Sequence, residues 1–481
     1  MNHKMVRYIL ANVMAIEGVL LLLPVLTALI YRERCIWAFL ATAAVCLACG
    51  LLLRLKKPQN TRIYASEGYV STALSWIVLS LFGAAPLYLS GWYANPIDAL
   101  FEIVSGFTTT GATVLSDVEC LPKSVLMWRG FSHWIGGMGV LVFLLALLPV
   151  AGASSMHLMR AESPGPSVGK LVPKVRSTAK ILYGIYIALT IVETVLLWIA
   201  GASLFDSVNL AFSTAGTGGF GLVNSSAGDY NTAIQIILTV FMILFGINFN
   251  VYFFIYTGHL KDAFKCEEMR FYLGIILVSG AAITINIARL YDTVGRAALH
   301  AFFQVGSIIT TTGFSTVDFD LWPGFSKSIL VMLMFCGACA GSTGGGIKVS
   351  RIVIMVKTIG KELASITHPR SVRKVRMEGK PIEHEVLRSV NVFVMAYLCV
   401  FAVSILLISL EGRDLTTNFT SVAATLNNVG PGLSQVGPTE NFGGFSNLSK
   451  LVFIFDMLAG RLELFPLLIL CTPGLWRRRW S

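Results

Sequence analysis

Four segments of this chain have the same form: a short amphipathic stretch runs into a turn of small residues around a glycine and interrupts an otherwise apolar run. They read SGFTTTGAT ending at Thr113, FSTAGTGGF ending at Phe220, SIITTTGFST ending at Thr316 and TLNNVGPGL ending at Leu433. Aligned on one position, they bring Gly111, Gly218, Gly313 and Gly430 into register, preceded by Thr110, Thr217, Thr312 and Val429. Self-similarity at a spacing of about a hundred residues signals one structural unit used repeatedly. Four quasi-equivalent loops in a single chain predict a four-fold arrangement about one axis.

The surroundings of these loops say where that axis lies. With 55% hydrophobic and 13% charged residues over 481 positions, the chain is too apolar for a soluble protein of its length. Uncharged stretches of about 20 residues, enough to cross a hydrocarbon core of about 30 Å, recur throughout. The clearest run from Tyr69 to Ser90, Phe131 to Val150, Ala233 to Gly258 and Ser389 to Ser409. A net charge of +11 could attract nucleic acid, but the cations cluster in alternate loops: Lys4 and Arg7; Arg54, Lys56, Lys57 and Arg62; Arg160 to Lys180; Lys261 to Arg270; Lys348 to Arg388; and Arg477 to Arg479. Such sorting is the signature of membrane topology rather than nucleic-acid binding, and it places both termini in the cytoplasm and all four glycine turns on the opposite side. The first apolar run, Tyr8 to Ile30, is too long for a signal-peptide core and is expected to be retained. The nine cysteines lie mostly in apolar runs; Cys46 with Cys49, and Cys336 with Cys339, have CxxC spacing but no further ligand to complete a tetrahedral site, so they read as packing residues.

The expected fold is therefore an all-α polytopic membrane protein. Residues 1–66 form an N-terminal transmembrane hairpin; four helix, re-entrant pore loop, helix units follow at residues 67–177, 178–269, 270–384 (with an intramembrane loop) and 385–481. Half-helices begin near Ile97, Leu204, Ala297 and Thr416 and are about ten residues long, too short to span. Non-helical backbone at membrane depth is tolerated only where protein buries it or water fills the space beside it, so the four turns belong around a central pore. Each unit starts and ends on the same side, which relates the units by an axis along the membrane normal and disfavours an inverted-repeat transporter.

A cation entering such a pore loses its hydration shell, and rings of carbonyl oxygens can replace it. Glycine permits the backbone conformation that turns successive carbonyls one way, and the C-terminal end of each half-helix adds partial negative charge. The turns, together with WIGGMG (Trp134–Gly139), AESPGP (Ala161–Pro166), AGSTGGGIK (Ala340–Lys348) and MLAGRLELF (Met457–Phe465), resemble the Trk/Ktr/HKT superfamily of potassium transporters, and in particular the bacterial Trk potassium-uptake membrane subunit. The resemblance covers nearly the whole chain. It implies a potassium filter made of Thr109, Thr110 and Gly111; Gly216, Thr217 and Gly218; Thr311, Thr312 and Gly313; and Asn428, Val429 and Gly430. Gly111 favours potassium, because the sodium-transporting plant branch carries serine there. The fourth turn departs most, with Asn427, Asn428 and Pro431.

The segment Gly341 to Gly346, followed by Ile347 and Lys348, superficially matches a phosphate-binding loop. There the lysine should directly follow the last glycine, after a leading strand; here Ile347 intervenes and a membrane run leads in. The resemblance instead implies a gating loop below the filter, involving Gly341, Gly344, Gly345, Gly346 and Lys348. Arg461 lies in the last apolar run between Asp456 and Glu463; it either pairs with a neighbouring carboxylate or, as the resemblance implies, faces the pore as a barrier. Glu17 and Glu193 are intramembrane carboxylates that could relay a proton but read better as helix-packing residues, and His133 reads as a satisfied core histidine rather than a ligand. No enzyme motif appears in a polar setting, so neither catalysis nor an organic cofactor is expected. The resemblance further implies inward potassium movement across the bacterial inner membrane, a homodimer, and a cytoplasmic nucleotide-binding ring as regulatory partner. The basic stretches Lys348 to Lys380 and Arg160 to Lys180 would either dock that partner or attract anionic membrane lipids. The competing reading is the potassium-binding subunit of an ATP-driven pump.

Overall fold

The computed structural model describes residues 2–55, 58, 64–139, 175–368 and 374–473. The AESPGP motif, the Phe131–Val150 run beyond Gly139, most of the basic loop 160–180, part of the 348–380 stretch and Arg477–Arg479 lie outside the described residues.

The same order of elements recurs four times. A long helix leads (Ala65–Leu89, Val175–Ile199, Glu267–Ile287, His384–Ile408), a short helix follows (Pro96–Phe107, Leu204–Ala215, Val294–Ile309, Leu415–Leu426), and after the glycine turn a return helix runs back (Lys123–Met138, Thr232–Phe245, Gly324–Cys336, Asn447–Arg461). Each short helix starts at a residue suited to cap it: the side chains of Asn95, Ser203, Thr293 and Asp414 accept N–H groups of the first turn. Thr293 moves the third start to Val294, ahead of the expected Ala297, and gives that helix 16 residues where about ten were expected.

Packing closes the circle. Every short helix packs against its own long and return helices, and every return helix also packs against the short helix that follows it: Lys123–Met138 on Leu204–Ala215, Thr232–Phe245 on Val294–Ile309, Gly324–Cys336 on Leu415–Leu426, and Asn447–Arg461 back on Pro96–Phe107. The N-terminal helices, His3–Tyr31 and Ile36–Arg54, lie outside this ring against Ala65–Leu89 and Lys123–Met138. Small residues bring those two together, since a Cβ at Gly50 would lie 2.8 Å from the Ala11 carbonyl.

Among the described residues, six helices are long and apolar enough to cross a membrane, or seven if one bent pair counts as a span. The return helices are not among the six. With 13 to 16 residues they reach roughly 20–24 Å, short of a core of about 30 Å. Each breaks at a specific place: Gly139 at φ 82° after the first, Gly337 at φ 70° after the third, and Glu463 and Leu464 at φ 55° and 65° after the fourth. The second bends by 90° into Phe249–Tyr256, so the expected uninterrupted stretch Ala233–Gly258 is two helices. A two-residue strand pair, Arg376–Met377 with Lys380–Pro381, is the one β element among the described residues.

Polarity is distributed inside out. Leu29, Ile30, Leu52, Ile199, Ile285 and Leu406 are all exposed, whereas Thr109, Thr110, Thr217, Thr311, Thr312, Asn427 and Asn428 have no exposed surface. An outer face of aliphatic side chains around a polar centre suits a lipid solvent.

Candidate functional site

The four turns share one backbone course. In each, an N–H reaches back to the last turn of the short helix: Thr110 to the Ser105 carbonyl, Gly218 to Ser213, Thr312 to Ser307 and Val429 to Ala424, all at 2.8 Å. The residue before each donor is left-handed, Thr109, Thr217, Thr311 and Asn428 lying at φ 55–59°. The residue after each donor also has positive φ, and here the expected register fails in one repeat. These residues are Gly111, Gly219, Gly313 and Gly430, at φ 79°, 76°, 85° and 97°. The counterpart of Gly111 in the second turn is therefore Gly219; Gly218 matches Thr110, and Gly216 is the helix cap that matches Thr108.

What these glycines face closes the ring. A Cβ at Gly111 would lie 2.0 Å from the Gly218 carbonyl oxygen, at Gly219 1.9 Å from that of Thr312, at Gly313 2.2 Å from that of Val429, and at Gly430 2.6 Å from that of Thr110. Each repeat thus presses its glycine against the carbonyl of the next, and the fourth returns to the first. Positive φ and a carbonyl at that range exclude any side chain at these positions. The four short helices end at the turns, so the partly negative ends of their dipoles adjoin the ring. All four ring glycines line one cavity of about 150 Å³.

The walls behind the ring differ. In turns one and three, hydroxyls pair within the turn, Thr108 with Thr110 at 2.8 Å and Thr310 with Thr312 at 2.7 Å. Turn four is tied to turn one by Asn428 Nδ2, which donates to Thr110 Oγ1 at 2.9 Å and to the Met457 carbonyl at 2.8 Å. Turn one is braced by a buried ion pair, Arg129 with Glu102 at 2.8 Å, whose carboxylate also accepts from Thr113 Oγ1 and the Val114 N–H. Arg129 further lies 4.1 Å over the Phe220 ring. Sequence reasoning passed over this pair; the available signal was that Glu102 and Arg129, of opposite sign, sit inside the short helix and the return helix on either side of the first turn. His133 does not fit the expectation of a satisfied core histidine: it is fully buried, and neither ring nitrogen has a hydrogen-bond partner among the described residues.

Beneath turns three and four lies the segment Gly341–Lys348. Its Gly345 N–H donates to Thr311 Oγ1 at 2.6 Å, and a Cβ at Gly345 would lie 2.6 Å from the Asn427 carbonyl. The segment is anchored on three sides. The Gly341 carbonyl accepts from the Phe249 N–H at 3.0 Å, and Thr343 Oγ1 donates to the Phe245 carbonyl at 3.2 Å. Buried Glu268 accepts the N–H groups of Ala340 and Ser350 at 2.7 and 3.0 Å. Lys348, buried and at φ 83°, donates its Nζ to the Gly344 carbonyl. A lysine turned inward on its own loop is not displayed for a phosphate.

Arg461, the last residue of its helix, donates to the Thr343 carbonyl at 2.8 Å and to the carbonyls of Gly136 and Gly137 at 2.5 and 2.6 Å. The carboxylate two residues on, Glu463, holds Arg351 at 2.5 Å. Arg461 therefore ties the fourth unit to the segment of the third and to the WIGGMG end of the first.

Comparison with known proteins gives a consistent answer. The family model described as TrkH, cation transport protein, matches residues 36–277 and 271–476. The Trk system potassium uptake protein TrkH of Salmonella typhimurium is 39% identical over 95% of this chain and 96% of its own length. Escherichia coli TrkG, also named a Trk system potassium uptake protein, is 34% identical over 94% of each chain. The crystal structure of the potassium transporter TrkH from Vibrio parahaemolyticus superposes with a TM-score of 0.90 at 35% identity, covering 99% of this chain and all of that one.

Proposed function

The chain belongs to the TrkH family of cation transport proteins, and from that premise we propose that it takes up potassium through the ring of four turns, which acts as the selectivity filter. The observation that carries this reading is the cyclic closure of glycine on carbonyl, from Gly111 through Gly219 and Gly313 to Gly430. Four equivalent carbonyls, from Thr110, Gly218, Thr312 and Val429, present oxygen to a dehydrated monovalent cation from all sides. The filter then consists of Thr109, Thr110 and Gly111; Thr217, Gly218 and Gly219; Thr311, Thr312 and Gly313; and Asn428, Val429 and Gly430. Gly216 leaves the ion path and keeps its place as a helix cap.

Flow is controlled below. The segment from Gly341 through Gly344, Gly345 and Gly346 to Lys348 obstructs the path, and Arg461 latches it while adding a positive barrier. Both termini are cytoplasmic, the protein forms a homodimer, and a cytoplasmic nucleotide-binding ring acts on the basic stretch between Lys348 and Lys380. The names of the relatives, each a protein of a Trk system, support a multi-component assembly.

The test is ion flux into liposomes containing this chain alone, with potassium, sodium and no ATP. Potassium uptake at least ten times faster than sodium uptake is expected. Equal rates would sink the filter reading, and uptake that requires ATP would favour the pump subunit.

A further inference from the structure

Turns one and three hold their carbonyl-bearing residue with a hydroxyl pair of the turn itself, whereas turn four is held through Asn427. Thr108 and Thr310 pair with Thr110 and Thr312, and in turn four Asn427 Nδ2 donates to the Ala423 carbonyl while its Oδ1 accepts from Tyr397. Turn two lacks the hydroxyl pair, because the positions matching Thr108 and Thr110 are Gly216 and Gly218; its own side-chain bond runs instead from Thr217 Oγ1 to the Gly216 carbonyl at 2.6 Å. The space behind these two glycines is filled from outside the turn. A Cβ at Gly218 would fall 1.1 Å from His133 Nδ1 and 2.0 Å from its Cε1, and a Cβ at Gly216 would fall 2.2 Å from the His133 carbonyl oxygen.

His133 lies on the return helix of the first unit, one helical turn beyond Arg129. Its ring meets Phe220 edge-on at 4.3 Å between centroids, and Arg129 covers the same ring. Phe220 directly follows Gly219, so two residues four apart on one helix grip the chain on the far side of the Gly218 carbonyl. With neither ring nitrogen bonded among the described residues, the imidazole acts here through its volume and shape.

We propose that His133 is a positioning residue of the ion path: its ring replaces the missing threonine pair of turn two and sets where the Gly218 carbonyl points. This rests on the filter reading above. It predicts a reciprocal relation, since the space can hold either the imidazole or a side chain at residue 218. Gly218 itself is not at positive φ, so its backbone accepts a threonine once the ring is gone.

The experiment compares the parent chain with H133A, H133L, G218T and H133A/G218T, reading potassium and sodium uptake in liposomes together with folded yield. H133A is expected to lower the potassium-to-sodium ratio at least fivefold, and H133L, which keeps most of the volume, to stay nearer the parent. G218T alone should lose uptake or fold poorly, while the double variant recovers the ratio to within about twofold of the parent. A ratio unchanged in H133A, an H133L ratio as low as that of H133A, or a double variant no better than H133A would overturn the assignment. Should H133A fail to fold, recovery of folded yield in the double variant supports it and continued failure overturns it. A parent chain without potassium preference would sink the filter reading and this inference together, whereas a selective parent with an indifferent H133A sinks this inference alone.

Discussion

The ring of turns and the elements directly beneath it obey opposite rules. Above, one contact is repeated four times, a glycine at positive φ against the carbonyl of the next turn. Below, the four return helices lead into unlike elements: the first and third end at glycines of positive φ, Gly139 and Gly337, the third running on into the Gly341–Lys348 segment, the second bends by 90° after Phe245, and the fourth ends at Arg461. On the function proposed above, four-fold equivalence serves recognition, because an ion that exchanges water for carbonyls needs similar oxygens on every side. On the same proposal inequality serves control, because a path blocked by one element can be opened by moving that element alone.

The largest effect expected from this contrast is at the ring. Gly219→Ala puts a methyl group 1.9 Å from the Thr312 carbonyl on a residue at φ 76°. Left-handed backbone alone costs an ordinary residue about 1–2 kcal/mol, and the carbonyl must also move. Potassium uptake should fall by two orders of magnitude or more, and Gly111→Ala should match it. A tolerated Gly219→Ala beside a dead Gly111→Ala would break the equivalence and return the register to Gly218.

Arg461→Ala comes next and has the opposite sign. It deletes donors to three carbonyls of two other units, hydrogen bonds of a kind worth about 1.5–3 kcal/mol each when one partner is charged, and it removes a positive charge from the path. Potassium uptake should rise several-fold with the potassium-to-sodium ratio unchanged, and Arg461→Lys should fall between. Flux at or below the parent level, with normal yield, would mean that Arg461 only holds helices together.

Glu268→Gln is a gentler probe of the same lower half. Glutamine keeps the shape but is a weaker acceptor for the Ala340 and Ser350 N–H groups, a change of about 1 kcal/mol. Uptake should increase about twofold, again without loss of selectivity. A changed ion ratio would show that the segment and the ring are one mechanical unit.

This division also explains what could be read from the chain. Repetition is a sequence property, so the four turns, the short helices before them and the interruption at Gly341–Gly346 were visible, while the cap at Thr293 that fixes the third start was not read. Register within turn two was not. The string TAGTGGF offers three glycines, residue identity favours aligning Thr217 with Thr110, and only the backbone dihedrals distinguish Gly218 from Gly219. The bend after Phe245 was hidden in an uncharged run: the Gly246 carbonyl leaves the helix to accept from the Cys339 N–H of another unit, Asn248 caps the next helix by accepting the Asn250 N–H, and the chain resumes where the Phe249 N–H donates to Gly341. His133 was misread for the same reason. A histidine in an apolar helix says nothing about which glycine, more than eighty residues away, has made room for it.

The smallest expected effect lies at the outer rim, where one repeat differs from the other three in chemistry. The short helices are capped by Asn95, Ser203, Thr293 and Asp414, and only Asp414 titrates in the acid range. Its carboxylate accepts from the Thr417 N–H at 2.9 Å and from Thr417 Oγ1 at 2.5 Å, and these bonds hold its pKa below the usual carboxylate range. A group depressed in the folded state contributes stability that is complete above its unfolded value, and that contribution disappears as the pH falls through the folded value. Asp414→Ala should therefore cost about 1 kcal/mol at neutral pH, and the gap to the parent should close as the pH drops below the carboxylate range. Asp414→Asn, which still caps, should lose less and show no such closing. Melting curves of the purified protein at neutral and acid pH read both. A gap for Asp414→Ala that stays constant with pH would show that the fourth short helix is held like the other three, extending the equivalence of the ring to its rim.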